Sequence, residues 1–121
     1  MPPPAVDIQG VAHRYGEHQA LRDVTLQVGP EALYGLLGPN GSGKTTLFRI
    51  LSTLLPPTGG QAEIFGMDVT QHPDAVRDRI GVVFQEPALD ETLTVRENLQ
   101  FQGALYGLHG AALHTRIDAL L

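Results

Sequence analysis

Apolar and polar positions alternate in short blocks along the chain, and the period of the blocks changes several times. Val24, Leu26 and Val28 alternate with Thr25 and Gln27, the period-two pattern of a half-buried strand, and Val6–Val11 reads as a second strand. The stretch "AHRYGEHQALRD" between them is polar with a single aromatic and reads as a loop. Leu33–Leu37 ("LYGLL") is nearly all apolar, as expected of a strand buried on both faces of a parallel sheet. Beyond a glycine-rich turn, Leu47, Phe48, Ile50, Leu51, Leu54 and Leu55 recur at helical spacing until Pro56 and Pro57 stop the helix.

A short strand at Ala62–Phe65, a helix near Pro73–Asp78 and an apolar strand at Ile80–Phe84 follow. Thr94 and Glu97 make a capping-box pattern that opens a helix through about Leu105. Leu113, Ile117, Leu120 and Leu121 mark a last helix, with no C-cap glycine and no closing strand after it. Residues 1–5, with Pro2–Pro4, read as an extended, disordered lead-in. Strands alternating with helices predict an α/β layer fold, and early strands without a helix between them predict that part of the sheet is antiparallel. There is no internal repeat.

Composition narrows the classes. A chain of 121 residues holds one small domain with a single core. With 42% hydrophobic and 17% charged residues it is ordinary globular material. A net charge of −5 offers no basic face for nucleic acid or an anionic membrane. The absence of cysteine excludes disulfides and thiol chemistry. No apolar run approaches the ~18–20 residues that span a bilayer, and the N-terminus has neither the basic start nor the apolar segment of a signal peptide. A soluble, cytoplasmic domain is the expectation. His13, His18, His72, His109 and His114 have no metal-ligand spacing and read as surface residues.

The chemistry sits in "LLGPNGSGKTT". Gly38-Pro-Asn-Gly-Ser-Gly43-Lys44-Thr45 fits the phosphate-loop pattern G-x-x-x-x-G-K-[ST]. Glycines let the backbone turn through positive φ so that successive N–H groups face an anion, and a helix starting near Gly43 adds its positive end. Lys44 can reach the β- and γ-phosphates, and the Thr45 hydroxyl can ligate Mg²⁺. The plainer reading is a glycine-rich turn ahead of a core helix. An apolar strand before the loop and an amphipathic helix after it supply the context the phosphate reading requires.

The surrounding residues resemble one family, the ATP-binding cassette (ABC) ATPases, over nearly the whole chain from Val6 onward. "GLLGPNGSGKTTLFRIL" resembles their version of the loop, with Asn40, Gly41 and Ser42 inside it and Thr46 doubling the threonine. The resemblance implies a P-loop NTPase (RecA-like) core with an N-terminal antiparallel β portion and the start of a helical subdomain. It also implies that Gly38, Asn40, Gly41, Ser42, Gly43, Lys44, Thr45 and Thr46 hold ATP with Mg²⁺. "HRYGEHQALRDVTLQV" matches the segment where the family carries an aromatic that stacks on adenine, here Tyr15, which alone reads as a surface residue. "VVFQE" resembles the strand ending in the Q-loop glutamine, here Gln85, implied to approach Mg²⁺ and the attacking water; alone it reads as a strand-end polar residue. "LTVRENLQFQGALYG" resembles the helical-subdomain start in subunits of the daunorubicin-resistance exporter type. Pro30-Glu31-Ala32 departs from the family's usual Gly-Glu turn, far from the phosphates.

Hydrolysis in this family further requires a Walker B acid with a neighbouring carboxylate, an LSGGQ-type signature and a switch histidine, and none of these is present. Gln85 stands where a Walker B Asp would be, and Glu86 belongs to the Q-loop context. Thr58-Gly-Gly-Gln61 spells most of a signature, but it follows two prolines and leads into a strand, so it reads as a turn bent at Gly59-Gly60. The expectation is a partial ABC ATP-binding domain over residues 6–121, truncated before signature and Walker B, with an apolar sheet edge left open. It would bind ATP–Mg²⁺ and turn over little alone, having no complete catalytic set. In its full-length form the resemblance implies a cytoplasmic subunit held at the membrane by a permease and paired with a second ATP-binding subunit, exporting small hydrophobic compounds. The alternatives are a non-catalytic nucleotide-binding or interaction module, and an ABC ATPase acting on nucleic acid or the ribosome. The acidic charge counts against the last.

Overall fold

A computed structural model of the chain describes residues 2–85 and 89–121. It divides into two compact units, Met1–Val82 and Val83–Leu121.

The first unit is built on a hairpin. Strands β1 (Val6–Tyr15) and β2 (His18–Val28) pair antiparallel from Val6↔Val28 to Tyr15↔His18. Two residues, Gly16 and Glu17, make the turn, and Gly16 takes the left-handed conformation (φ 58°) that a primed hairpin turn demands. The polar stretch 12–23 is therefore strand and turn, not the loop its polarity predicts. β2 is an edge strand with one face in water, so polar residues are at home on it. Strand β3 (Gly59–Ile64) pairs antiparallel with β1, and the two-residue β4 (Met67–Asp68) pairs with β3, giving the order β2-β1-β3-β4. Ala5 joins the sheet through its amide to the Val28 carbonyl (2.8 Å) and its carbonyl from the Phe65 amide (2.9 Å).

One irregularity in β1 decides which way its last residues point. The β1–β2 register shifts between Ile8 and Val11, where Gly10 has φ 59°, and β1–β3 shifts between Gln9 and Ala12. Side chains in a strand alternate faces, so a bulge changes the parity of everything after it. Ile8 and Val11, three apart, are thus both fully buried, and His13 follows Val11 onto the inner face. His13 is 5% exposed, which overturns its reading as a surface histidine. Gly60 faces the bulge with φ 76°; a Cβ there would run into the Gly10 carbonyl. Gly59 to Gln61 accordingly lie within β3, rather than forming a free turn ahead of it.

Helix α1 (Lys44–Leu51) lays Leu47 and Ile50 on the sheet, where they meet Ile8, Val11, Leu21, Ala62 and Ile64. Helix α2 (Pro73–Arg77), opened by Pro73 at its first position, adds Val76. Each of the Leu, Ile and Val side chains among these buries apolar surface worth roughly 1.5–3 kcal/mol. Leu33–Leu37 and Ile80–Phe84 form no strand, contrary to their apolar patterns. Strands exist by pairing, and among the described residues neither segment has a partner strand. Leu36 and Ile80 still pack partly on the core, while Leu33 and Leu37 stand almost wholly exposed.

The second unit is an αα-hairpin of α3 (Val95–Leu105) and α4 (Gly110–Leu120). The Thr94 hydroxyl accepts from the Glu97 amide (3.1 Å), and the Glu97 carboxylate accepts from the Thr94 amide (2.9 Å), completing the capping box. At the other end Leu108 donates to Gly103 (2.9 Å) and Gly107 to Ala104 (3.0 Å), with Gly107 left-handed at φ 82°. That pair of bonds is a Schellman stop. Leu113 of α4 lies over Gly103, where a Cβ would strike it, and Ile117 is buried. No helix among the described residues is long and apolar enough to cross a membrane.

Candidate functional site

The glycine-rich loop leads directly into α1. Pro39 to Ser42 turn tightly, the Ser42 amide donating to the Pro39 carbonyl (3.2 Å). Gly41 and Gly43 both sit in the left-handed region, at φ 86° and 93°. Gly43 is the N-cap of α1, and no side chain caps the helix there. The first satisfied amide is that of Leu47, which donates to the Gly43 carbonyl (2.9 Å). The amides of Lys44, Thr45 and Thr46 have no acceptor among the described residues. Three orphan donors at a helix start, with the positive end of the helix dipole behind them, form an anion-seeking array.

Close approach requires a glycine at Gly43, and Gly38 is also crowded, by a side chain. A Cβ on Gly43 would lie 2.6 Å from the Ala20 carbonyl of β2 and 2.6 Å from a Leu21 methyl. The loop therefore packs directly on the hairpin. A Cβ on Gly38 would lie 2.8 Å from the Ser42 hydroxyl, because Ser42 and Lys44 fold over that glycine. The Lys44 ammonium donates to the Gly38 carbonyl, bridging the two ends of the loop. The Thr45 hydroxyl is exposed at the helix start, and Asn40 is exposed at the loop's tip.

Tyr15 and Thr46 meet at one edge of this loop. Their hydroxyls are 3.2 Å apart, joining the end of β1 to the first turn of α1. Thr46 is buried at 7% exposure, whereas Tyr15 leaves 40% of its surface open. His13 stands beside Tyr15, ring centroids 4.6 Å apart and planes at 69°. The sequence reading missed His13, since its place depends on β1 running on past Val11. The available signal was its spacing of two from Tyr15 on a strand.

The first unit thus gathers Tyr15, Gly38, Asn40, Gly41, Ser42, Gly43, Lys44, Thr45 and Thr46 on one loop and the strand beside it. Gln85 lies in the second unit, exposed, and is described there by itself. Glu86 lies outside the described residues. Acceptor-free amides, an ammonium held on a neutral carbonyl, an exposed threonine and a left-handed Gly43 packed on the hairpin fit the phosphates of a nucleotide with its Mg²⁺.

A solved structure of an ATP binding subunit of an ABC transporter superposes on 88% of this chain and 45% of that one, with a TM-score of 0.77 and 29% identity. The fold is thus α/β, the N-terminal part of a P-loop NTPase core. The ABC transporter family matches residues 21–121, and the chain belongs to that family. It is 48% identical over 117 residues to the daunorubicin resistance ATP-binding protein DrrA2 of Streptomyces coeruleorubidus, covering 97% of this chain and 36% of that protein. It is 43% identical over 120 residues to the daunorubicin/doxorubicin resistance ATP-binding protein DrrA of Streptomyces peucetius, covering 99% and 36%. The chain spans about a third of the length of these curated relatives.

Proposed function

We propose that the chain binds ATP with Mg²⁺ through the Gly38–Thr46 loop, as the nucleotide-holding part of an ABC transporter's ATP-binding subunit. The carrying observation is the helix start at Lys44, where three amides are left without acceptors and the Lys44 ammonium lies on the carbonyl of the loop's first glycine, Gly38. That ammonium now rests on a neutral carbonyl, an acceptor that a charged phosphate oxygen outcompetes. In this reading Lys44 takes the β- and γ-phosphates, and the amides of Lys44, Thr45 and Thr46 take phosphate oxygens. Asn40, Gly41 and Ser42 shape the rim of the loop. Thr45 ligates Mg²⁺. Tyr15 offers its open ring to the adenine. Mg²⁺ held there would neutralise charge on the β- and γ-phosphates.

The wider role rests on likeness to the drug-resistance ATP-binding proteins. It is a cytoplasmic subunit held at the membrane by a permease, working with a second ATP-binding subunit to export small hydrophobic compounds. The 121 residues contain no Walker B acid, signature or switch histidine, so turnover by this chain alone is negligible.

A circular-dichroism melt first establishes that the chain is folded. Calorimetric titration with a non-hydrolysable ATP analogue and Mg²⁺ then shows binding that Lys44→Ala abolishes. Folded protein that binds nothing overturns the reading. Phosphate release abolished by Lys44→Ala, at the rate of a complete ABC ATPase, overturns the claim of negligible turnover.

A further inference from the structure

Phosphate chemistry makes no use of His13, yet the fold buries it at 5% exposure with Nδ1 lacking any hydrogen-bond partner among the described residues. An unpaired buried ring nitrogen costs free energy, and a plain aliphatic side chain at this place would avoid that cost. What the imidazole contacts is Tyr15, at 4.6 Å between centroids and 69° between planes. That is the near-perpendicular arrangement aromatic quadrupoles favour. The far end of Tyr15 is held by the Thr46 hydroxyl at 3.2 Å. The tyrosine is therefore fixed at ring and hydroxyl while 40% of it stays open.

We propose that His13 is a positioning residue for the nucleobase: it fixes the Tyr15 ring in the pose on which the base stacks, without touching the nucleotide. The proposal rests on the stacking role given to Tyr15 above. A tyrosine free to rotate must be ordered as the base arrives, which subtracts from affinity. Packed against His13, the ring is ordered when the chain folds. The effect falls on the base, because His13 meets the Tyr15 ring, whereas the tie to the phosphate loop runs through the Tyr15 hydroxyl and Thr46.

The test titrates a non-hydrolysable ATP analogue and inorganic tripolyphosphate, each with Mg²⁺, against the whole chain and its variants. His13→Ala weakens the analogue about three- to tenfold and leaves tripolyphosphate unchanged. His13→Phe keeps a ring against Tyr15 and retains most of the analogue affinity. In a Tyr15→Ala background, His13→Ala has no further effect, the non-additivity expected of residues acting through one another. If His13→Ala does not fold, His13→Leu replaces it, and a base-dependent loss with Leu but not Phe is the expected pair. Equal behaviour of Leu and Phe overturns the proposal. Equal losses for analogue and tripolyphosphate make His13 a support of the whole loop and also overturn it. If Tyr15→Ala weakens the analogue but His13→Ala does not, only the positioning role falls. If Tyr15→Ala leaves the analogue unchanged, the stacking reading falls and the proposal falls with it.

Discussion

The hydroxyl of Tyr15, last residue of β1, lies 3.2 Å from the hydroxyl of Thr46, in the first turn of α1. One bond thus ties the strand that offers an aromatic face to the helix that opens the phosphate loop. The hydroxyl contact of the tyrosine and the stacking proposed for its ring are separable. Tyr15→Phe removes the hydroxyl and keeps the ring, so it costs about 0.5–1.5 kcal/mol of stability. ATP-analogue affinity changes little. Tyr15→Ala removes the ring and weakens the analogue by ~1–3 kcal/mol, by analogy with bases stacked on aromatics. Denaturant unfolding and calorimetric titration on the two variants check the division. Equal loss of affinity in both would show that the hydroxyl, not the ring, carries binding.

Gly41 and Gly43 share a left-handed backbone but differ in surroundings. An added Cβ at Gly41 meets nothing within 4 Å, so Gly41→Ala carries only the conformational cost, about 1–2 kcal/mol. At Gly43 the same atom would lie 2.6 Å from the Ala20 carbonyl, and backbone cannot rotate aside. Gly43→Ala must separate the loop from the hairpin, so its destabilisation exceeds that of Gly41→Ala, and nucleotide binding is lost with it. Thermal melts of the pair order the two effects. A Gly43→Ala protein as stable as Gly41→Ala would mean that the loop does not pack on β2 as described.

What was legible in the sequence was local. The capping box at Thr94 and Glu97 and the glycine loop each carry their signal within a few residues, and the structure starts α1 and α3 accordingly. The stop of α1 is not where the prolines suggest: the helix ends at Leu51, where left-handed Thr53 (φ 67°) and Leu54 bond back to Ile50 and Arg49, short of Pro56. What escaped depended on distant chain. Leu33–Leu37 has a strand's composition, but composition cannot supply the neighbour a strand pairs with. The hairpin from residues 12 to 23 escaped because an edge strand is polar on its open face. His13 escaped for a third reason: the bulge at Gly10 changes which side of β1 faces the core, and parity counted from Ile8 would put His13 outside.

Leu33 and Leu37 are almost wholly exposed, so neither contributes burial to the first unit. Changing both to serine therefore leaves stability within about 0.5 kcal/mol. It also removes apolar surface that attracts dyes and other chains, so binding of an apolar fluorescent dye and light scattering at high concentration both fall. A drop in unfolding midpoint well beyond that margin would show that the pair is buried in solution.

Glu97 makes the start of α3 sensitive to acid. Its carboxyl is held below the usual glutamate range, first by the backbone amide of Thr94 and then by the Thr94 side chain. A carboxylate whose folded value is depressed stabilises the fold above its unfolded value and loses that contribution as pH falls through the folded one. The capping box is therefore fully effective at neutral pH and dissolves only below the ordinary glutamate range. Asp90, held down in the same sense by the Thr92 hydroxyl and then its amide, loses its turn in the same acid region. Amide exchange over residues 94–98 measured between roughly pH 3 and 6, after correction for intrinsic rates, should rise as the box opens. Glu97→Gln keeps an acceptor oxygen without the charge, so exchange over these residues should lose most of its pH dependence. Thr94→Ala should raise exchange at every pH, by the ~1 kcal/mol typical of a lost N-cap. A wild-type profile flat across that range would show that the Glu97 carboxylate does not hold the helix start.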